Sequence, residues 1–293
     1  MAMDIGVIGL GNIGNGVAKN LAKSGFKVIG YDVDAARITD SGATPAKSAA
    51  AIAQQCDMVV AAVATPDAYE ATMNALAEAG KEGLVIADLC TFPEETKFST
   101  HAMLAERGIV LLDCPVSGAR PQSQAGELAM TVSGEKAAFE RIEDALNSFC
   151  SSVIYVGEFG MSIKIKYILN LMVAIHNLTC AEAFVMARKA GIDLDLFVDV
   201  VSKSSARLQI FNTRASQWVA GDYENQITAA LAIQLKDMVI IEDFAKTLGV
   251  PTPLFDVASS YYEAAAARGW QAKDAAVILE LLEEAAGIPR KSA

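Results

Sequence analysis

The chain has 293 residues, 53% of them hydrophobic, which excludes a disordered polypeptide and gives enough apolar material for two domains with sizeable cores. A net charge of −11 without a basic stripe argues against a nucleic-acid partner. Two histidines, no H-E-x-x-H and five scattered cysteines without a C-x-x-C argue against a histidine-built zinc site and a disulfide frame, so no metal is expected and the thiols read as small buried apolar groups in a reducing compartment.

Met1-Ala2-Met3 leads straight into a β-rich run, Asp4–Leu10, with no charged and apolar leader, and a soluble cytoplasmic protein is the expectation. Gly9-Leu10-Gly11-Asn12-Ile13-Gly14 ends the run and fits G-x-G-x-x-G. Helical spacing follows from Asn12 to Ser24 through Ile13, Val17, Leu21 and Ala22, and Gly25 stands where a left-handed cap is wanted. Lys27–Tyr31 is a second strand with Asp32 at its end. Each position has a physical reason. Gly9 allows the tight turn, Gly11 lets backbone approach a pyrophosphate, and Gly14 lets helix pack on strand. The helix amino terminus offers free N–H groups to phosphate, and the Asp32 carboxylate can accept from adenosine ribose hydroxyls. A dinucleotide site is expected, with NAD preferred because a carboxylate repels the extra phosphate of NADP; Arg37 is the one nearby group able to take that phosphate.

Strands and helices go on alternating. Helices are expected at 47–55, 66–79 and 93–107, and strands at 58–63, 84–87 and 109–112. That rhythm predicts a doubly wound parallel sheet of Rossmann type, with ligands beyond the carboxyl ends of its strands. The turn at Val63 and the turn carrying Thr91 therefore lie near the cofactor. Asp113–Gly126 reads as loop, and in it the Ser117 hydroxyl and the following backbone N–H groups can cradle a carboxylate. A helix at 137–149 and a strand at 152–156 complete the first domain, expected to span 1–160.

From Ser162 to Ala190 the chain has neither Gly nor Pro, and as one helix this stretch is roughly 43 Å long. Lys164, Lys166, Asn170, His176, Asn177 and Glu182 make it too polar for a membrane span. Lys166 and Asn170, four positions apart, leave the same face. Only helices are expected afterwards, at 194–203, 208–218, 227–248, 254–268 and 273–286, so residues 161–293 read as an all-α domain built on a long inter-domain helix. A helix apolar on most sides needs covering on most sides, which a small domain provides with difficulty, and a homo-oligomer is expected.

Four motifs in order resemble the β-hydroxyacid dehydrogenase family, whose best-known member is 3-hydroxyisobutyrate dehydrogenase: Val7–Gly14, Asp113-Cys114-Pro115-Val116-Ser117-Gly118 with Gly126, Gly160 followed by Lys166 and Asn170, and Lys236-Asp237. The resemblance covers nearly the whole chain. It implies NAD-dependent oxidation of a small 3-hydroxy acid, with Lys166 as general acid/base and Asn170 orienting substrate or lysine. It implies that Ser117 and Gly118, with Ala119 and Arg120 beside them, hold the substrate, that Thr91 and Lys236 reach the nicotinamide half, and that the protein is a homodimer or homotetramer. Ala119, Arg120, Ser123, Ser162 and Cys90 depart from the family pattern around the expected substrate pocket, and Arg120 is either a second anion contact or a solvent-facing loop residue. The alternatives are a semialdehyde or glyoxylate reductase of the same family using NAD(P)H, and a non-catalytic dinucleotide-binding protein.

Overall fold

A computed structural model describes residues 3–225 and 227–289; Met1 and Ala2 of the leader argument lie outside the described residues. The chain divides into two compact units, Met1–Lys166 and Tyr167–Ala293.

The first unit is an α/β sheet structure. In chain order it contains β1 (Asp4–Ile8), α1 (Gly14–Lys23), β2 (Lys27–Tyr31), α2 (Ala35–Ser41), β3 (Thr44–Pro45), α3 (Ala49–Gln55), β4 (Met58–Ala61) and α4 (Pro66–Ala79). Then come β5 (Val85–Asp88), α5 (Glu94–Ala105), β6 (Val110–Asp113), β7 (Val116–Ser117), α6 (Arg120–Ala125), β8 (Leu128–Ser133), α7 (Lys136–Asn147) and β9 (Cys150–Gly157). The spatial order is β3-β2-β1-β4-β5-β6-β8-β7, with β9 on β8. Strands β1 to β6 are parallel and covered on both faces, which is why β4 and β5 are buried at every residue instead of alternating. Val7, Met58, Val60, Ala87 and Leu112 pack on one face, and Ile8, Val59, Ala61, Ile86 and Leu111 on the other. On that second face a Cβ at Gly6 would lie 2.1 Å from Ile52 Cγ2, so glycine is what lets α3 lie close to β1.

The strand rhythm predicts a parallel sheet, and β1 to β6 form one, but not every strand of the sheet is parallel. β8 runs antiparallel to β6 and β7. Residues 118–127 join Ser117 to Leu128, fewer than the dozen or so that a parallel crossover needs, so the chain must turn back. Within this connection, expected to be loop, α6 forms and ends on Gly126 in the left-handed region at φ 73°. The short α2 and β3 were also not anticipated, although Asp34 caps α2 through the Ala36 N–H and Gly42 closes it.

The second unit holds most of α8 (Met161–Lys189), which begins in the first, and then α9 (Leu194–Lys203), α10 (Gln209–Ala220), α11 (Leu231–Leu248), α12 (Pro253–Ala267), a 3-10 turn at Ala275–Val277 and α13 (Ile278–Ala285). By length and composition α8 could cross a membrane. However, Asn170 and Asn177 are buried with partners inside the protein, Asp237 Oδ2 at 2.8 Å and Tyr262 Oη at 2.7 Å, as in a core helix. Rings of Phe184, Phe211 and Trp218 meet at centroid distances of 5.1–6.3 Å to form the aromatic part of this core.

Asp274 sets the ends of two of these elements. Its Oδ2 accepts from the Thr228 N–H and hydroxyl at 2.7 Å and from the Ala229 N–H at 3.0 Å. Those amides are therefore withdrawn from a helix, and α11 starts at Leu231 instead of Ile227. Its Oδ1 caps the 3-10 turn through the Ala276 N–H, which splits the helix expected at 273–286. Burial works against this carboxylate, but Arg214 and the backbone donors outweigh it and hold its pKa below the usual range. A depressed carboxyl contributes stability above its unfolded pKa of about 4 and loses it as pH falls through the folded value. Asp274→Ala is expected to cost about 3 kcal/mol in urea denaturation at pH 7, because it strands buried donors. Asp274→Asn should show a shallower loss of stability than the parent as pH falls below about 4.

Candidate active site

The glycine-rich loop has the shape its sequence requires. Gly9 sits at φ 85°, and its N–H donates to the Tyr31 carbonyl at 3.0 Å. A Cβ on Gly14 would lie 1.8 Å from the Gly9 carbonyl oxygen, so any side chain there would push α1 off the loop. Above Gly11 the nearest protein atom to such a Cβ is Arg37 Nη1 at 3.8 Å, which leaves backbone open to an approaching group. Leu10 is buried, Ile13 half-buried and Asn12 exposed.

Asp32 is 9% exposed, and its Oδ2 accepts from the Leu10 N–H at 2.7 Å while its Oδ1 accepts from the Asp34 N–H at 2.9 Å. The carboxylate is thereby fixed to the glycine loop. Arg37 lies 3.7 Å from Asp32 and 3.5 Å from Asp34 on the solvent side. An open glycine turn, a helix amino terminus and an oriented carboxylate fit a dinucleotide: Gly9 to Gly14 would take the pyrophosphate and Asp32 the ribose. Val63 is half-buried in the turn after β4, and Thr91 in the turn after β5. Among the described residues no group of three His, Cys, Asp or Glu side chains is placed to hold a metal ion.

The loop after β6 is tied to the glycine loop. Ser123 in α6 donates its hydroxyl to the Ile13 carbonyl at 2.6 Å, and Asn20 Nδ2 donates to the Ser123 carbonyl at 2.9 Å. Gly16 is the residue of α1 that admits this contact, since a Cβ there would lie 2.4 Å from Ser123 backbone. Ser123 thus serves to join α6 to α1, a role its loop position in the sequence did not suggest. Ser117 is half-buried and paired with Ala129, Gly118 takes φ 131°, and Arg120 is exposed at the first turn of α6. The Ala119 N–H donates to Gln122 Oε1 at 3.0 Å, so of the amides expected to cradle an anion, that one is engaged and the Gly118 N–H is the next candidate.

The first turn of α8 is held by the sheet. Asp113, at the carboxyl end of β6, accepts from the Ile163 N–H at 2.7 Å through Oδ2, and Ser133 Oγ accepts from the Ser162 N–H at 3.0 Å. The other Asp113 oxygen lies 2.9 Å from Lys97 Nζ, which also reaches Asp88 Oδ2 at 2.7 Å and the Cys90 carbonyl at 3.0 Å. All three charged side chains are fully buried. Burial opposes the Lys97 ammonium, but Asp113 and Asp88 outweigh it and hold its pKa well above the usual lysine value. The Asp113 carboxyl is raised by burial, with Lys97 pulling it back. One turn further along α8, Lys166 is half-buried. Lys164 turns to Glu94 at 3.2 Å.

In the second unit Asp237 holds two of the expected site residues. Its Oδ2 accepts from Asn170 Nδ2 at 2.8 Å and its Oδ1 pairs with Lys236 Nζ at 2.9 Å. Its position beside Lys236 was visible in the sequence, but its grip on Asn170, across 67 residues, was not.

Comparison with known proteins agrees with this architecture. Residues 4–157 match the NAD binding domain of 6-phosphogluconate dehydrogenase, and residues 160–282 match the NAD-binding domain of NADP-dependent 3-hydroxyisobutyrate dehydrogenase. L-threonate dehydrogenase of Cupriavidus necator is 31% identical over 288 residues, covering 96% of each chain. 2-(Hydroxymethyl)glutarate dehydrogenase of Eubacterium barkeri is 27% identical over 294 residues, covering 98% of this chain and 97% of its own. The crystal structure of a 3-hydroxyisobutyrate dehydrogenase from Salmonella typhimurium superposes with a TM-score of 0.88 at 28% identity, covering 95% of this chain and 99% of the other. A glycine turn shaped for pyrophosphate, a helical second unit and relatives matched from end to end together place this chain in the β-hydroxyacid dehydrogenase family, as an enzyme that uses a nicotinamide dinucleotide to act on a hydroxy acid.

Proposed function

We propose that the protein oxidises a small 3-hydroxy acid to the aldehyde or ketone, with NAD as cofactor and Lys166 as general acid/base. The observation that carries this reading is the placement of Lys166: a half-buried amine one turn beyond amides anchored to the carboxyl ends of β6 and β8, in the same unit as the glycine loop. When bound, the dinucleotide supplies the hydride acceptor. The Ser117 hydroxyl and the Gly118 N–H hold the substrate carboxylate and so orient the reacting carbon. Lys166, neutral in the working form, takes the hydroxyl proton through Nζ and returns it in the reverse direction. Asn170, oriented by Asp237, and Lys236 take the substrate and cofactor contacts that the family resemblance assigns them.

The preference for NAD rests on Asp32, whose carboxylate is fixed by two backbone donors and cannot readily swing aside. The three relatives named above act on L-threonate, 2-(hydroxymethyl)glutarate and 3-hydroxyisobutyrate, and these define the substrate panel. Large apolar side chains left open on the second unit, Met186 at 71%, Leu254 at 68% and Val239 at 60%, support a homo-oligomer. A cytoplasmic enzyme is consistent with five buried free thiols.

Incubation of the panel with NAD, read by NADH absorbance, should identify at least one substrate; no turnover with any hydroxy acid would favour the non-catalytic alternative. Lys166→Ala is expected to fold and bind NADH normally while losing about 10²- to 10⁴-fold in rate, and unchanged turnover would end the lysine assignment. The parent should prefer NAD to NADP in kcat/KM. Asp32→Ser should shift that ratio towards NADP by roughly 10- to 100-fold as the like-charge repulsion is removed. A parent that prefers NADP shows that Arg37, not Asp32, governs the choice.

A further inference from the structure

Burying Lys97 with Asp88 and Asp113 is a costly way to close the end of the sheet. Three charges without solvent contact carry a desolvation cost that their mutual attraction repays only with excellent geometry, and apolar replacements of such groups are often neutral or stabilising. What the group does in this structure is connect. On one side, Lys97 Nζ grips Asp88 at 2.7 Å and the Cys90 carbonyl at 3.0 Å, while the other Asp88 oxygen accepts from the Cys90 N–H at 2.9 Å. Tyr69 adds its hydroxyl to Asp88 at 2.7 Å. The turn leading to Thr91 is therefore held at both polar groups of Cys90. On the other side, Lys97 holds Asp113 at 2.9 Å, and Asp113 and Ser133 carry the first free amides of α8.

We propose that Lys97 is a positioning residue for the hydroxy-acid reaction: through Asp113 and Asp88 it fixes the first turn of α8, and so Lys166, relative to the turn that carries Thr91. This rests on the reading of Lys166 as the general acid/base. The charges favour the same geometry. Asp113 Oδ2 lies against the amino terminus of α8, where a helix presents about half a positive charge. Helix termini are commonly capped by a residue of the same chain segment. Here the Ser162 and Ile163 amides are capped from β8 and β6, so the start of α8 is tied to the sheet.

The test uses the full-length protein with NAD and the best substrate of the panel. Lys97→Met combined with Asp88→Asn removes one cation together with one anion and breaks the bridge. The expected result is a loss of about 10- to 100-fold in kcat, as for an acid/base displaced by about 1 Å. NADH affinity by fluorescence titration and substrate KM should stay within about threefold, the pattern of an interaction lost mainly in the transition state. Amides of residues 161–166 should exchange hydrogen faster than in the parent. Rates are normalised to NADH-binding sites, so a purely structural role predicts a lower melting temperature with unchanged kcat per site, and that result overturns the proposal. Should the double variant fail to fold, Ser133→Ala decides, because it removes the acceptor of the Ser162 amide and the hydroxyl bound to Asp113 at 3.4 Å while leaving the three buried charges in place: a roughly 3- to 10-fold fall in kcat with faster exchange of the Ser162 amide supports the proposal, and an unchanged kcat overturns it. Lys166→Ala, measured in parallel, separates the two readings. If it abolishes turnover while the bridge variants leave kcat intact, the positioning role falls and the base assignment stands. If it leaves turnover intact, the base assignment itself falls, and the positioning role with it.

Discussion

A single ammonium group, enclosed between the carboxyl ends of two adjacent parallel strands, determines how the first unit presents its chemistry. β5 and β6 each end in an aspartate, and two neighbouring carboxylates in a dry interior repel each other unless a cation lies between them. Lys97 lies between them, supplied from the second turn of α5. Once the cation is there, the outward oxygens of Asp88 and Asp113 are free to bind backbone, and they bind the turn after β5 and the first turn of α8. An electrostatic requirement of the sheet edge becomes a way of arranging two segments that hold candidate site residues.

A second set of contacts works in the same unit by close approach and without charge. Gly14 lets α1 begin directly on the Gly9 turn, and Gly16 lets α6 come within hydrogen-bonding distance of α1. Through Ser123 and Asn20 the segment following Ser117 is fastened to the carbonyl of Ile13 inside the glycine motif. The loop expected to hold the substrate and the loop shaped for the cofactor are in consequence one rigid assembly. Ser123, Gln124 and Gln122 spend their side chains on that assembly, on the Ile13 carbonyl, the Asn15 carboxamide and the Ala119 amide. The departures from the family pattern in this stretch therefore do not all bear on the substrate. Arg120 keeps its side chain exposed at the first turn of α6.

The amino-acid sequence by itself determined the parts whose cause is local. Gly9 and Gly14 announced a turn that only glycine can make, Asp32 announced an acceptor at a strand end, and the strand and helix periods from Asp4 to Asn147 gave the alternation of the sheet. The unbroken run after Gly160 gave α8, because nothing in it interrupts a helix. Tertiary structure decided whatever depends on partners distant in the chain. The reversal of β8 follows from a connection too short to cross over, and the late start of α11 follows from the capture of its would-be first amides by Asp274. Lys97 belongs to no motif in the sequence, and Asp237 stands there only as the neighbour of Lys236. Their roles exist only because folding brings a buried cation to two carboxylates and a carboxylate to Asn170, and burial multiplies the strength of those contacts far beyond what the same groups would have in water.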